Sequence, residues 1–261
     1  MRRIFTPLFL IFSIYIFAQT ETPYKIGEKC VYSIYFGPID VGVGTLEIID
    51  SMKTNNTNTF HVVGEGKTNR FFDLFFKVRD TYETHINTTT LLPVRFIRKV
   101  NEGGHIINQD YLFLHDSGVV VTQDTTLEMV KRSQDMLSAF FYARTFKKED
   151  VKKSKSFFVP IFMDNENYSL EILYLHNEYI ETKWGNIECM VFRPIMQEGR
   201  IFQDGEQMKV WISNDKNHLL MKVETKIWAG TVKAFLTDYS SLKNPLSITK
   251  KRKDLKIKLA K

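Results

Sequence analysis

Residues 208–239 constrain the fold of this chain more than any other stretch. Met208, Val210 and Ile212 alternate with Lys209, Trp211 and Ser213, the period of two of a strand with one buried face. Ser213-Asn214-Asp215-Lys216-Asn217 follows, and Asn and Asp suit a turn because their side chains bond the local backbone and tolerate left-handed dihedrals. The chain returns with Leu219, Met221, Val223 and Ile227 on one face, and Lys222, Glu224 and Lys226 on the other. Ala229-Gly230 interrupts the run, and a third strand covers residues 231–239. The pattern predicts an antiparallel meander at the middle of a large sheet, with earlier strands built onto it. On this parity Trp228 points into the core beside Gly230, Val232, Ala234 and Leu236. Trp211 falls on the wetter face with Lys209 and Ser213.

The rest of the chain repeats the strand pattern. Segments 28–36, 41–50, 60–66, 78–86, 94–102, 106–114 and 119–123 read as strands, and 156–162, 168–175, 178–183 and 187–194 continue the series. Turn signals separate them: Gly37-Pro38, Asn55-Asn56, Gly103-Gly104, Ser117-Gly118 and Trp184-Gly185-Asn186. One segment, 133–146, has helical spacing in Met136, Leu137, Phe140, Phe141 and Arg144, with Ser133 placed to cap it and Asp135 at its positive end. Residues 147–155 read as a charged linker. The predicted fold is all-β and mainly antiparallel: a large curved sheet, barrel-like or a sandwich, with one mid-chain helix. A single domain is expected over 19–244, followed by a basic tail, 245–261, too poor in apolar residues to be ordered.

The first 18 residues have their own logic. Met1-Arg2-Arg3 is basic, residues 4–17 are apolar but for Thr6, Pro7 and Ser13, and Ala18 is small, the order found in a secretory signal peptide. The apolar run falls short of the roughly 20 residues of a membrane-crossing helix. Cleavage after Ala18 would leave Gln19 at the mature N-terminus. No Cys closely follows, so no lipid anchor is expected, and no later segment reaches transmembrane length. The expected location is the periplasm or the cell exterior. In an oxidising compartment Cys30 and Cys189 could close a disulfide; they could equally be two buried thiols that never meet.

Charge excludes one class of partner. The net charge of +6 comes from the two ends, with Arg2 and Arg3 in the leader and seven basic residues against Asp254 in 250–261. The body between carries a slight acidic excess, which disfavours a nucleic-acid binder. Hydrophobic residues at 43% and charged residues at 25% are too apolar a mixture for a disordered chain.

Three pieces resemble a known family: Tyr35-Phe36-Gly37-Pro38-Ile39-Asp40-Val41-Gly42-Val43-Gly44-Thr45-Leu46, Asp135-Met136-Leu137-Ser138-Ala139-Phe140-Phe141-Tyr142-Ala143-Arg144, and Val210-Trp211-Ile212-Ser213-Asn214-Asp215. Their order and spacing are similar to those of the bacterial exported family called domain of unknown function 3108. The resemblance implies an exported β-rich domain and supplies no catalytic residues.

Motifs that carry chemistry are absent from the sequence. His61, His85, His105, His115, His176 and His218 form no close metal-ligand spacing, and the two Cys are far apart. Ser138 and Ser213 lie in no nucleophile elbow. Gly103-Gly104 lacks the helix and Lys of a phosphate loop. No cofactor, catalytic residue or metal ligand is therefore assigned. The sharpest non-catalytic feature is Arg70-Phe71-Phe72-Asp73-Leu74-Phe75-Phe76-Lys77. It reads either as core or as an apolar rim over a cavity. Phe71, Phe72, Phe75, Phe76 and Trp211 are the candidate ligand-binding residues. The favoured expectation is an envelope protein that binds an apolar or amphiphilic ligand in a curved β-sheet. A carboxylate-based hydrolase of envelope glycan and an assembly partner of envelope proteins are the alternatives.

Overall fold

The computed structural model describes residues 21–195, 208–227 and 230–251. The leader with its expected cleavage point, Trp228, and the tail beyond 251 lie outside the described residues.

The chain begins as a long meander: β1 (Lys29–Phe36), β2 (Ile39–Thr54), β3 (Thr57–Thr68), β4 (Arg79–Asn87), β5 (Pro93–Glu102), β6 (His105–Leu114), β7 (Val119–Val121) and β8 (Thr126–Glu128). Two helices follow, α1 (Met136–Ala143) and α2 (Lys148–Ser154). The second run of strands is β9 (Ser156–Met163), β10 (Glu166–Thr182), β11 (Gly185–Ile195), β12 (Met208–Ser213), β13 (Leu220–Ile227), β14 (Gly230–Ser240) and the short β15 (Lys250–Lys251). All belong to one mostly antiparallel sheet. Its spatial order is β8 to β1 in reverse sequence, then β14 down to β9, with β15 added to β11.

The 208–240 meander therefore does occupy the middle. β14 pairs with β1 in a register that sets Ile34 opposite Ala234, and β12 pairs with β11. Every earlier strand extends outward from the β1–β14 pairing. A bulge between Val31 and Tyr32 adds local twist, which helps a sheet of this width to curl.

Among the described residues the sheet is barrel-like but not closed by strand pairing. β7 and β8 are three residues each, too short to zip along β9. Other groups bridge the seam. Gln134 N–H donates to the Pro160 carbonyl at 2.8 Å, and Phe162 N–H donates to the Gln134 carbonyl at 2.9 Å. The Asn167 side chain accepts from Val130 N–H and donates to the Glu128 carbonyl, both at 2.8 Å. Arg98 and Gln109 each donate to Asp164 at 3.0 Å.

α1 lies inside the curve. Phe141 is buried with Tyr24, Ile48, Val62, Ile86 and Leu91, and Ala139 with Val159, Ile161 and Met163. Asp135 caps it rather than Ser133: its carboxylate accepts from Leu137 N–H and Ser138 N–H, and Ser138 Oγ accepts from Asp135 N–H. The expected charged linker is largely a second helix, α2. Glu149 and Asp150 sit in its first turn and Lys152 and Lys153 in its last, which matches the helix dipole. Val151 anchors it against Met190 and Phe192.

Two expectations are corrected. Trp211 is not on a wet face: it is 5% exposed and packs with Cys189, Val191, Leu219 and Met221. Its indole N–H donates to Glu178, and the Lys222 ammonium lies 4.0 Å from its ring centroid. Ser213, its supposed wet neighbour, is also fully buried. Nor does order stop at residue 244. Leu242, Leu246 and Ile248 pack against the Trp211 cluster, Ser247 N–H donates to Asp215, and Thr249 N–H donates to the Asn186 carbonyl. The apolar residues of this segment are few, yet they alternate and so share one covered face. Cys30 and Cys189 are both buried in this cluster and both free. Burial pushes each thiol up to about 12, which leaves them inert.

An apolar cavity beside the internal helix

α1 is held by polar groups at both ends. At its N-terminus the Asp135 carboxylate, fully buried, also accepts from Thr84 Oγ1 at 2.6 Å. Burial raises its pKa to about 6, against the lowering effect of these hydrogen bonds. At the C-terminus Arg144 is 3% exposed. Its Nη1 donates to Glu28 Oε1 at 2.6 Å, and Nε and Nη2 donate to the Asn217 carbonyl. The guanidinium sits 5.1 Å from the Tyr24 ring centroid and 5.3 Å from that of Phe141. A cation at this end is favoured by the helix dipole.

Between the helices and strands β9–β12 the chain leaves a cavity of about 340 Å³. Ala139 and Ala143 of α1 form one wall; Ile161, Leu170, Phe192 and Val210 are on the strands opposite. Among the described residues, no Asp or Glu lines it. The small side chains of α1 make the space, since longer residues at positions 139 and 143 would fill it. Alternation along β12 explains why Val210 and Ile212 face the cavity while Trp211 points the other way.

Arg144, Phe146 and His218 border this cavity and also a polar groove of about 670 Å³. His218 Nδ1–H donates to the Arg144 carbonyl at 2.6 Å. The groove carries Lys147, Lys148, Lys216 and Lys243 against Glu21, Glu149 and Asp215. An apolar chamber and a polar groove that bears four lysines thus share a wall.

The expected aromatic residues lie elsewhere. Phe72 belongs to a single 3-10 turn, Phe72–Leu74, in the β3–β4 connection. Phe71 is 65% exposed, Phe75 71% and Phe76 47%. Arg79 and Thr68 hold the turn through Asp73, and the ring of Phe76 covers Gly103, where a Cβ would overlap it. Antiparallel order puts this turn at the same end of the sheet as the β9–β10 connection, at the rim and not in the cavity. Neither these residues nor Trp211 line the cavity. Sequence reasoning missed the real lining because Ala139, Ala143, Val210 and Ile212 look like any core residues. The structure also brings His61, Glu83 and His85 together, a group that no sequence spacing reveals.

A profile of the family described as protein of unknown function (DUF3108) matches residues 31–237. The chain belongs to the DUF3108 family. Among solved structures, a β-barrel-like protein of the DUF1849 family from Brucella abortus is similar at a TM-score of 0.54 and 9% identity, covering 83% of this chain and 98% of its own. That likeness is one of fold. A Bacteroides fragilis protein described as exported with a YmcC-like fold gives 0.34 at 8% identity, covering 86% and 100%. A protein described as a lipoprotein from Parabacteroides distasonis gives 0.32 at 11%, covering 85% and 99%. No curated protein sequence matches the chain. No helix among the described residues is long and apolar enough to cross a membrane.

Proposed function

We propose that this DUF3108 protein is an exported, non-enzymatic binder of an anionic amphiphile, acting in the periplasm or at the cell exterior. The apolar chain occupies the cavity beside α1, and the head group faces the lysine-bearing groove beyond Arg144 and His218. The cavity carries the reading. Its volume lies at the low end of the roughly 300–1,000 Å³ of ligand pockets, enough for one chain. Its apolar walls would be costly to leave against water. The basic leader and apolar run of residues 1–18 support export. Phe71, Phe72, Phe75 and Phe76, with Leu74 between Arg70 and Lys77, supply an apolar tip with basic flanks, suited to touching the lipid layer that holds the ligand.

Mass spectrometry of organic extracts from protein purified from its native host tests this. An acyl-bearing ligand recovered above the mock preparation is expected. A fluorescent fatty acid should bind the wild type and not Ala143→Trp, which fills the cavity. Empty extracts together with equal probe binding by both proteins would refute the reading.

A further inference from the structure

Away from the cavity, β3 and β4 pair with His61 directly opposite His85. Val62 and Thr84 of the same strands are fully buried and Thr84 reaches Asp135, so alternation turns His61, Glu83 and His85 to the outer face of the sheet. The two imidazole rings stack with centroids 4.8 Å apart. One ligand atom from each of the three residues lies within 4.8 Å of the others.

The surrounding hydrogen bonds set the chemistry of His85. Thr59 Oγ1 donates its single proton to the Met52 carbonyl at 3.1 Å. In the 3.1 Å bond between the two threonines, Thr54 must therefore be the donor. Thr54 Oγ1 can then only accept from His85 Nδ1, 2.8 Å away. The chain of bonds fixes the Nδ1–H tautomer, leaving the lone pair on Nε2. His61 Nε2 lies 3.2 Å from Glu83 Oε2, and its Nδ1 lies 3.7 Å from Asp50. The nearby cation Arg95 is engaged by both oxygens of Asp110, so Asp50 and Glu83 leave the patch negative.

We propose that His61, Glu83 and His85 form a binding site for a divalent transition metal of the zinc class. Two imidazoles and a carboxylate are a known three-ligand zinc set, with a fourth position left for water. Thr54 behind His85 and Asp50 beside His61 stand where outer partners orient ligating imidazoles. Metal–ligand bonds of about 2 Å require the three atoms to draw together. His61 and Glu83, with side chains 19% and 24% exposed, can rotate to do so and leave a path for entry, while His85 stays fixed by Thr54. The proposal is independent of the cavity.

Calorimetric titration of ZnCl2 into the untagged, chelator-treated chain is the test, with Co²⁺ as a spectroscopic probe. One Zn²⁺ per chain is expected, with Co²⁺ giving the visible absorption of a four-coordinate complex. His61→Ala and Glu83→Gln should each weaken Zn²⁺ binding by more than about 10-fold, the lower end of what loss of a mere outer partner costs. Their metal-free melting temperatures should match the wild type, which separates lost ligation from lost folding; His85, being buried, is a poorer target. Absence of stoichiometric binding, or unchanged affinity in both variants, would overturn the proposal.

Discussion

Replacing Glu28 by Gln should expose how much the fold depends on the polar anchor of α1. The Arg144 and Glu28 side chains are only 2% and 3% exposed, so neither charge reaches water. Gln keeps the size and an acceptor for Arg144 Nη1 but removes the countercharge. Breaking a buried pair from one side typically costs about 3–5 kcal/mol, because the remaining charge stays desolvated. Arg144 retains the Asn217 carbonyl and the faces of Tyr24 and Phe141, which places the expected loss near the lower end, about 3 kcal/mol. Glu28 Oε2 is itself buried without a partner, so the pair is not ideal even when intact. Removing both charges in Glu28→Gln/Arg144→Met should therefore cost less than the two single losses added together. Urea denaturation of the four proteins measures this. A loss below about 1 kcal/mol in Glu28→Gln, or strictly additive losses in the double variant, would show that water or another anion already screens Arg144.

Two further outcomes follow from the same coordinates. Asp135 titrates near 6 in the folded chain and near 4 when unfolded, so the folded state holds this proton more tightly. Its stabilising effect is complete below about pH 4 and is lost as pH rises through about 6, a swing of at most about 3 kcal/mol. Asp135→Asn, which keeps a capping oxygen, should remove that part of the slope when urea midpoints are compared across pH 4–7; an unchanged profile would count against a raised pKa. Ending the chain at Asn244 removes the half-buried Leu246 and Ile248 with the hydrogen bonds of Ser247 and Thr249. That should cost about 2–3 kcal/mol and lower the melting temperature by about 5–10 °C, as calorimetry would register; no change would mean the segment is not docked.

The strand pattern, the central meander, the mid-chain helix and the family were all legible along the chain, because hydrophobic period, turn chemistry and capping are local properties. Period two says that Val210 and Trp211 face opposite sides of β12; it does not say which side is covered. In this protein both are, with α1 and α2 across the cavity from Val210 and Ile212, and Leu242, Leu246 and Ile248 against the Trp211 cluster. Lys209 and Ser213 were thus misleading neighbours for Trp211. The run 70–77 was apolar enough for a core segment, yet its place at a β3–β4 connection left Phe71 and Phe75 in solvent. The cavity and the His61–Glu83–His85 group were decided only by tertiary structure. The first depends on how far α1 stands from β9–β12, the second on the β3–β4 register. Distance between elements and register between strands are set by the packing of the whole sheet, which no local stretch of residues encodes.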